Sequence, residues 1–177
     1  MEEFAYILDF IPVSAGGRRE PTIYAVGEAE FRLFTLVPRP GAVFGVGDRV
    51  YIGKDTSQRE VIDHVKNRIK HSELTNNALA ELEYTLAAIV KKDEAKYIRF
   101  FNEAQSISLR KHLLEELPGL GKKSVEDILR EREKSPFTGF EDLTERAKIR
   151  SPEKLVARRI AEEIESQDLK RYLFVSK

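Results

Sequence analysis

The chain has 177 residues, enough for one or two small domains that each bury a modest core. Thirty Lys and Arg balance thirty Asp and Glu, so any surface that binds nucleic acid must be local and not a property of the whole polypeptide. There is no cysteine, which excludes disulfides, cysteine zinc sites, iron–sulfur clusters and thiol nucleophiles.

The N-terminal half is predicted to consist mainly of short strands. Apolar runs rich in aromatic and β-branched residues mark four of them, at residues 4–11, 22–26, 29–37 and 48–54. Residues 58–72 fit either a helix or a strand by spacing. Asp63 and Asn67 favour the strand because both have low helix propensity.

A helix and one further strand are predicted in the rest of the N-terminal part, ahead of the helical C-terminal part. The helix covers about residues 75–92, where apolar residues recur on one face. Residues 95–101 interleave basic and aromatic side chains and are predicted to form a strand. Strand alternation would place Tyr97 and Arg99 on one face.

About five strands, with a helix before the last of them, are similar in order to the OB-fold, a small barrel. We therefore predict an α+β protein whose residues 1–104 form an OB-like β-barrel with an inserted helix. Such barrels bind single-stranded nucleic acid by stacking bases on aromatic side chains beside cations. The candidate contacts are Arg18, Arg19, Tyr51, Lys96, Tyr97 and Arg99. The alternative is that the aromatic side chains fill the barrel.

The most specific motif is the hairpin at residues 117–123, Leu-Pro-Gly-Leu-Gly-Lys-Lys. Proline cannot continue a preceding helix, and the glycines permit positive φ and leave no side chain between the backbone and a ligand. A new helix is predicted to start at once, so its first N–H groups and the positive end of its macrodipole form an anion site. The predicted phosphate contacts are the N–H groups of Gly119, Leu120 and Gly121 and the side chains of Lys122 and Lys123.

Amphipathic stretches on both sides predict that this hairpin joins two helices. Upstream, Ser106 is a suitable N-cap, and leucines recur every four residues from Leu109 to Leu117. Downstream, residues 125–129 repeat the i, i+3, i+4 spacing. Two such helices joined by a short turn pack as a helical hairpin. The alternative is a glycine C-cap between two core helices that meets no ligand.

Residues 117–129 resemble the helix-hairpin-helix motif of sequence-nonspecific nucleic-acid-binding proteins. Residues 136–143 resemble the link to a second helix pair in tandem helix-hairpin-helix domains, as in bacterial DNA-uptake proteins. The second hairpin would then fall at residues 148–152 and is degenerate, because it has no glycine. Basic residues surround it: Arg146, Lys148, Arg150, Lys154, Arg158 and Arg159. They either attract nucleic acid or form a solvated surface over apolar neighbours.

The whole chain resembles an archaeal family of uncharacterised proteins, through residues 46–53, residues 97–104 and the hairpin. Members of that family are described as nucleic-acid-binding, often RNA-binding, with an OB-like domain ahead of a helix-hairpin-helix domain. The resemblance implies the same domain order here. We place the all-α tandem helix-hairpin-helix domain at residues 105–177.

Metal and membrane functions are not indicated. The three histidines, His64, His71 and His112, lack the spacing of metal ligands, so we expect neither a metal nor another cofactor. The N-terminus is acidic, and no apolar run approaches the length of a membrane span. We expect a cytoplasmic protein without a membrane segment.

Three classes of function remain open, of which we favour the first. It is non-catalytic binding of RNA or DNA, largely independent of sequence because backbone contacts carry no sequence code. The second is a protein-interaction module, which exposed Phe137, Phe140 or residues 172–175 would favour. The third is a DNA-repair-type enzyme, since helix-hairpin-helix DNA glycosylases place a catalytic lysine where Lys123 stands and Glu141 is the nearest acidic candidate. The chain is short for their base-flipping pocket and lacks cysteines for their cluster, so we predict no catalytic residue.

Overall fold

The computed structural model describes residues 1–12 and 20–176. Its strands are Phe4–Ile11 (β1), Thr22–Gly27 (β2), Leu33–Pro38 (β3), Arg49–Tyr51 (β4) and Ile62–Ile69 (β5). Its α-helices are Asn76–Lys92 (α1), Glu94–Glu103 (α2), Lys122–Lys134 (α3), Phe140–Ala147 (α4) and Pro152–Glu165 (α5). Single turns of 3₁₀ helix lie at Thr56–Gln58, His71–Glu73 and Leu113–Glu116. Within the described residues, none of the helices combines the length and apolar character that crossing a membrane requires.

The five strands form one curled antiparallel sheet in the order β4-β1-β2-β3-β5. Four of them lie where apolar runs predicted strands, and β5 lies within residues 58–72, where Asp63 and Asn67 favoured a strand. The α+β class is confirmed. Register shifts between Ile7 and Asp9 and between Thr35 and Leu36 mark irregularities that bend the strands. The sheet buries an apolar core formed by Ala5, Ile7, Ile23, Ala25, Leu36, Val50, Ile52 and Ile62.

The sheet is a half-barrel and not the predicted closed barrel. β4 and β5 are its two edges, and no ladder pairs them within the described residues. Arg59 bridges the chain near these edges: its Nε donates to the Gly53 carbonyl at 2.9 Å and its Nη1 to the Asp63 carbonyl at 3.2 Å. The Arg59 side chain thus links the segment after β4 to β5, which no backbone ladder joins within the described residues.

The Glu2 side chain holds the turn that joins β2 and β3. The Glu2 carboxylate accepts hydrogen bonds from three backbone N–H groups, those of Ala29, Glu30 and Arg32, at 2.8, 3.2 and 3.3 Å. Burial raises the pKa of Glu2, an effect that these N–H groups oppose. The turn makes β3 shorter than the strand predicted at residues 29–37. It also places the buried Phe31 at φ 59°, a left-handed conformation that costs an L-residue about 1–2 kcal/mol.

The helix predicted at residues 75–92 is confirmed as α1. The Thr75 hydroxyl caps it by accepting a hydrogen bond from the Ala78 N–H at 3.1 Å. The same hydroxyl donates to the Asp9 carboxylate at 2.6 Å, which ties the start of the helix to β1.

Residues 95–101, predicted as a strand, are helical and lie within α2. Tyr97, Ile98 and Phe101 are buried at the i, i+1, i+4 spacing of a helix face. Burial of that face outweighs the β propensity of the aromatic side chains. No strand follows α1 in the part of the chain that the structure describes, so the helix is not inserted into the sheet.

The chain divides into two compact units, Met1–Thr85 with Ile160–Lys177, and Leu86–Arg159. Seventeen Lys and Arg against thirteen Asp and Glu give Leu86–Arg159 a formal charge of +4. Because the whole chain sums to zero, the other unit carries −4. The positive unit contains the hairpin. The domain boundary predicted between residues 104 and 105 stays a prediction.

Candidate nucleic-acid interface

The hairpin begins with a tight turn at Leu117–Leu120. Proline occupies its second position, and Gly119 occupies its third with φ 96°, the arrangement of a type II turn. The Leu120 N–H closes the turn by donating to the Leu117 carbonyl at 3.2 Å. That N–H is therefore engaged within the protein, and the Leu120 side chain is buried. The turn therefore occupies the donor that the sequence assigned to a phosphate, and the predicted phosphate contact of Leu120 stays a prediction.

The remaining backbone N–H groups that could bind an anion lie at the start of α3. Gly121 is its N-cap in extended conformation and supplies no side-chain cap. The first bond inside the helix runs from the Val125 N–H to the Gly121 carbonyl at 3.1 Å. The N–H groups of residues 122–124 precede it and have no partner within the helix. Because Gly121, Lys122 and Lys123 are exposed, these donors and the two ammonium groups are accessible to an anion.

The helix predicted upstream of the hairpin is a single 3₁₀ turn at Leu113–Glu116. Leu109, predicted to lie on its apolar face, is fully exposed. The Ser108 hydroxyl accepts hydrogen bonds from the N–H groups of Arg110 and Lys111 at 3.3 and 3.2 Å. Such local side-chain bonds compete with the helical ladder, so the regular helix is lost.

Protonation of His112 is expected to loosen this 3₁₀ turn. The buried imidazole accepts at Nδ1 from the Leu114 N–H at 3.0 Å, which requires a neutral ring. Burial lowers the pKa of His112, and the nearby Arg132 lowers it further. Because the pKa is lower in the folded state, stability is complete above the unfolded value of 6.5 and is lost as pH falls through the folded pKa.

Denaturant titrations between about pH 5 and 8 measure this loss. The free energy of unfolding should decline more steeply with falling pH in wild type than in His112→Asn. The asparagine oxygen can cap the turn without titrating. Equal slopes in the two proteins would show that His112 is not the titrating group.

The first turn of α5 lies directly against the hairpin. A Cβ atom added to Gly119 would stand 3.1 Å from Cδ2 of Leu155. Beside this contact, the buried Arg159 donates through Nη1 to the carbonyl and the carboxylate of Glu116, at 3.3 and 3.2 Å. The sequence predicted Arg159 only as part of a basic run, and its partner could not be identified from spacing. Through these two contacts, α5 is anchored beside the hairpin.

The second turn, which has no glycine, is a genuine helix-to-helix turn. Lys148 ends α4 with φ 59°, and Ser151 precedes α5 with φ 45°. Both residues adopt the left-handed conformation that glycine usually supplies. The basic side chains on and after this turn are exposed: Lys148, Arg150, Lys154 and Arg158. Lys154 and Arg158 lie in the first two turns of α5, the helix that packs on the hairpin through Leu155.

Arg146 is engaged in contacts within the fold. Its guanidinium donates to the carbonyls of Glu131 and Ser135, the latter at 2.8 Å, and so ends α3. It also donates to the Asp142 carboxylate at 2.9 Å and lies 4.7 Å above the Phe137 ring. The prediction that Arg146 contacts nucleic acid does not fit these engagements, which leave it little capacity for a phosphate.

The candidate base-stacking residues of the N-terminal half are not brought together. Tyr97 is buried, and burial raises the pKa of its hydroxyl. Arg99 is exposed on the same helix, so the predicted shared strand face does not exist. Arg18 and Arg19 lie outside the described residues. No group of three or more His, Asp or Glu side chains within the described ranges could hold a metal ion.

Relatives are found along nearly the whole chain. A family model described as "Protein of unknown function (DUF655)" matches residues 1–176. The uncharacterized protein MJ0038 of Methanocaldococcus jannaschii is 39% identical over 176 residues, which are 98% of this chain and 80% of that protein. The crystal structure of Af1531 from Archaeoglobus fulgidus has a TM-score of 0.91 and 44% identity, covering 99% of this chain and 100% of that chain. The predicted resemblance to an archaeal family of uncharacterised proteins is confirmed.

Proposed function

The chain belongs to the DUF655 family, and we propose that it is a non-catalytic nucleic-acid-binding protein, largely indifferent to sequence. Phosphates would contact the N–H groups at the start of α3 and the lysines beside them. The observation that carries the proposal is the contact between Gly119 and Leu155. It joins the uncapped, glycine-rich start of α3 to the basic first turn of α5, on the unit that carries +4.

We also propose the finer fold assignments. The 3₁₀ turn, the hairpin, α3, α4, the second turn and α5 follow one another in the order of a tandem helix-hairpin-helix domain. The half-barrel of β1–β5 has the strand number of an OB-fold. The second of these assignments matters less to function, because the aromatic and cationic residues expected to bind single strands do not gather on one described face.

The exposed cations at the start of α3 and in the first two turns of α5 are Lys122, Lys123, Lys154 and Arg158. If three or four phosphates are neutralised, the logarithm of the association constant should fall with the logarithm of salt concentration at a slope of about −3. Fluorescence anisotropy with labelled duplex DNA, duplex RNA and single-stranded RNA measures this slope and identifies the preferred polymer. Two duplexes of unrelated sequence should bind equally. A flat salt response, or no binding to any polymer, would overturn the proposal.

A protein-interaction role is less well supported. Phe137 and Phe140, whose exposure would have favoured it, are 3% and 7% exposed.

An enzymatic role also lacks support. The Lys123 side chain is 87% exposed, with its Nζ 3.9 Å from the Asp127 carboxylate, and Glu141 is exposed. Neither residue is desolvated as a catalytic acid or base usually is.

A further inference from the structure

A cavity of about 330 Å³ lies in the unit formed by Met1–Thr85 and Ile160–Lys177. The end of β5 and the start of β3 contribute cations to its lining, Arg32, Arg68 and Lys70. α5 and the C-terminal segment contribute Ile164 and Val175. Apolar side chains from the sheet side, Phe31, Leu33 and Ile69, also line it, as do the polar Gln167 and Ser176. The cavity thus combines three cations with apolar surface.

The charge of the cavity is opposite to that of the unit around it. That unit carries −4, yet none of the described residues lining the cavity is acidic. Arg32 is partly neutralised because its Nε lies 2.7 Å from the Glu30 carboxylate, and the charge of Arg68 also interacts with that carboxylate. Arg68 in β5 and Lys70, which directly follows the strand in extended conformation, are exposed and two residues apart, so they share a face. This concave, locally positive site favours an anion.

The walls of the cavity are fixed before any ligand binds. The fully buried Glu163 accepts hydrogen bonds from the N–H groups of Leu173, Phe174 and Val175 at 3.0, 2.9 and 3.0 Å. It therefore holds the C-terminal segment that forms one wall. The lining also includes Phe31, which lies in the turn held by Glu2 and has a left-handed conformation. A preformed site loses little affinity to ordering.

We propose that this cavity binds a nucleoside phosphate, either free or as the phosphorylated end of a strand. Arg68 and Lys70 would pair with the phosphate, and the apolar wall would cover the sugar or base. The volume lies at the lower end of the range for small-molecule sites, which suits one nucleotide. The proposal is independent of the hairpin, because every residue it uses lies in the other unit.

Isothermal titration calorimetry with AMP, adenosine and inorganic phosphate tests the proposal. AMP should bind, and adenosine or phosphate alone should bind at least about tenfold more weakly because each makes only part of the contacts. Arg68→Gln/Lys70→Gln should weaken AMP binding at least about tenfold. Lys54→Gln/Lys66→Gln removes two exposed charges from the same unit but outside this cavity, and should leave AMP affinity unchanged.

Short single-stranded RNA with a 5′-phosphate or a 5′-hydroxyl separates the two sources of the ligand. Tighter binding of the phosphorylated strand supports a strand end, whereas binding of AMP alone supports a free nucleotide. The control variant Lys54→Gln/Lys66→Gln should leave the difference in affinity between the two strands unchanged. The proposal is overturned if AMP does not bind the wild type, or if Arg68→Gln/Lys70→Gln binds AMP as tightly as the wild type does.

Discussion

Replacing Gly121 by aspartate is expected to weaken duplex binding by at least about tenfold while leaving stability within about 0.5 kcal/mol of wild type. Gly121 has φ −87° and ψ 177°, which suits any residue, and a Cβ there would meet nothing within 4 Å. Aspartate is a favourable N-cap, so α3 should be as stable as before. Its carboxylate, however, would occupy the N–H groups that we assign to a phosphate and would repel it.

Gly121→Ser is the matched control, because serine caps the helix without adding charge. It should weaken binding less than Gly121→Asp, and anisotropy and thermal unfolding on both variants separate charge from fold. Gly119→Ala is expected to behave differently. The alanine would be strained at φ 96° and its Cβ would crowd Leu155, so stability should fall. Unchanged duplex affinity in Gly121→Asp would contradict a phosphate site at the start of α3.

Replacing Arg146 by glutamine is expected to lower the free energy of unfolding by about 2–3 kcal/mol without lowering the nucleic-acid affinity of the folded protein. The variant loses the hydrogen bonds to the carbonyls that end α3 and the contact with the Phe137 ring. Those carbonyls would then lack a partner that fits them. Arg146→Lys should recover little of the loss, because lysine keeps the charge but lacks the planar fork.

The exposed Arg158 provides the converse case. Arg158→Gln should leave stability within about 0.5 kcal/mol of wild type and reduce the steepness of the salt slope by about one. Denaturant titration and anisotropy on the two variants thus give opposite patterns. If Arg146→Gln lost affinity at full stability, Arg146 would belong to the interface.

Local chemistry explains why much of the fold was predictable. The strands follow from apolar runs between turn residues, and Thr75 caps α1 as its side chain predicts. The segment at residues 95–101 was misassigned because its aromatic residues suit a strand locally. The segment is helical because Tyr97, Ile98 and Phe101 are buried together on one side of it. That burial depends on the rest of the fold, which a local pattern does not contain.

The candidate site likewise has features that follow from local sequence and features that depend on contacts between distant segments. The turn at Leu117–Leu120 was predictable, because proline and glycine at its two central positions specify its backbone. The contact between Gly119 and Leu155 was not, because it joins segments far apart in sequence. Equally, the spacing of the basic residues did not indicate that the Arg146 guanidinium would donate to backbone carbonyls while Arg158 stays exposed. A basic residue near such a motif can be assigned to nucleic-acid binding only after its hydrogen-bond partners within the protein are known.

The central claim is that the starts of α3 and α5 form one phosphate-binding surface. Backbone amide chemical shifts, followed by NMR as a short duplex is titrated into the labelled protein, test it most directly. The account predicts the largest shifts at residues 121–124 and in the first turn of α5, appearing together at the same duplex concentrations and lost together in Gly121→Asp. Shifts confined to β1–β5, or absent from residues 121–124 while the duplex binds, would contradict it.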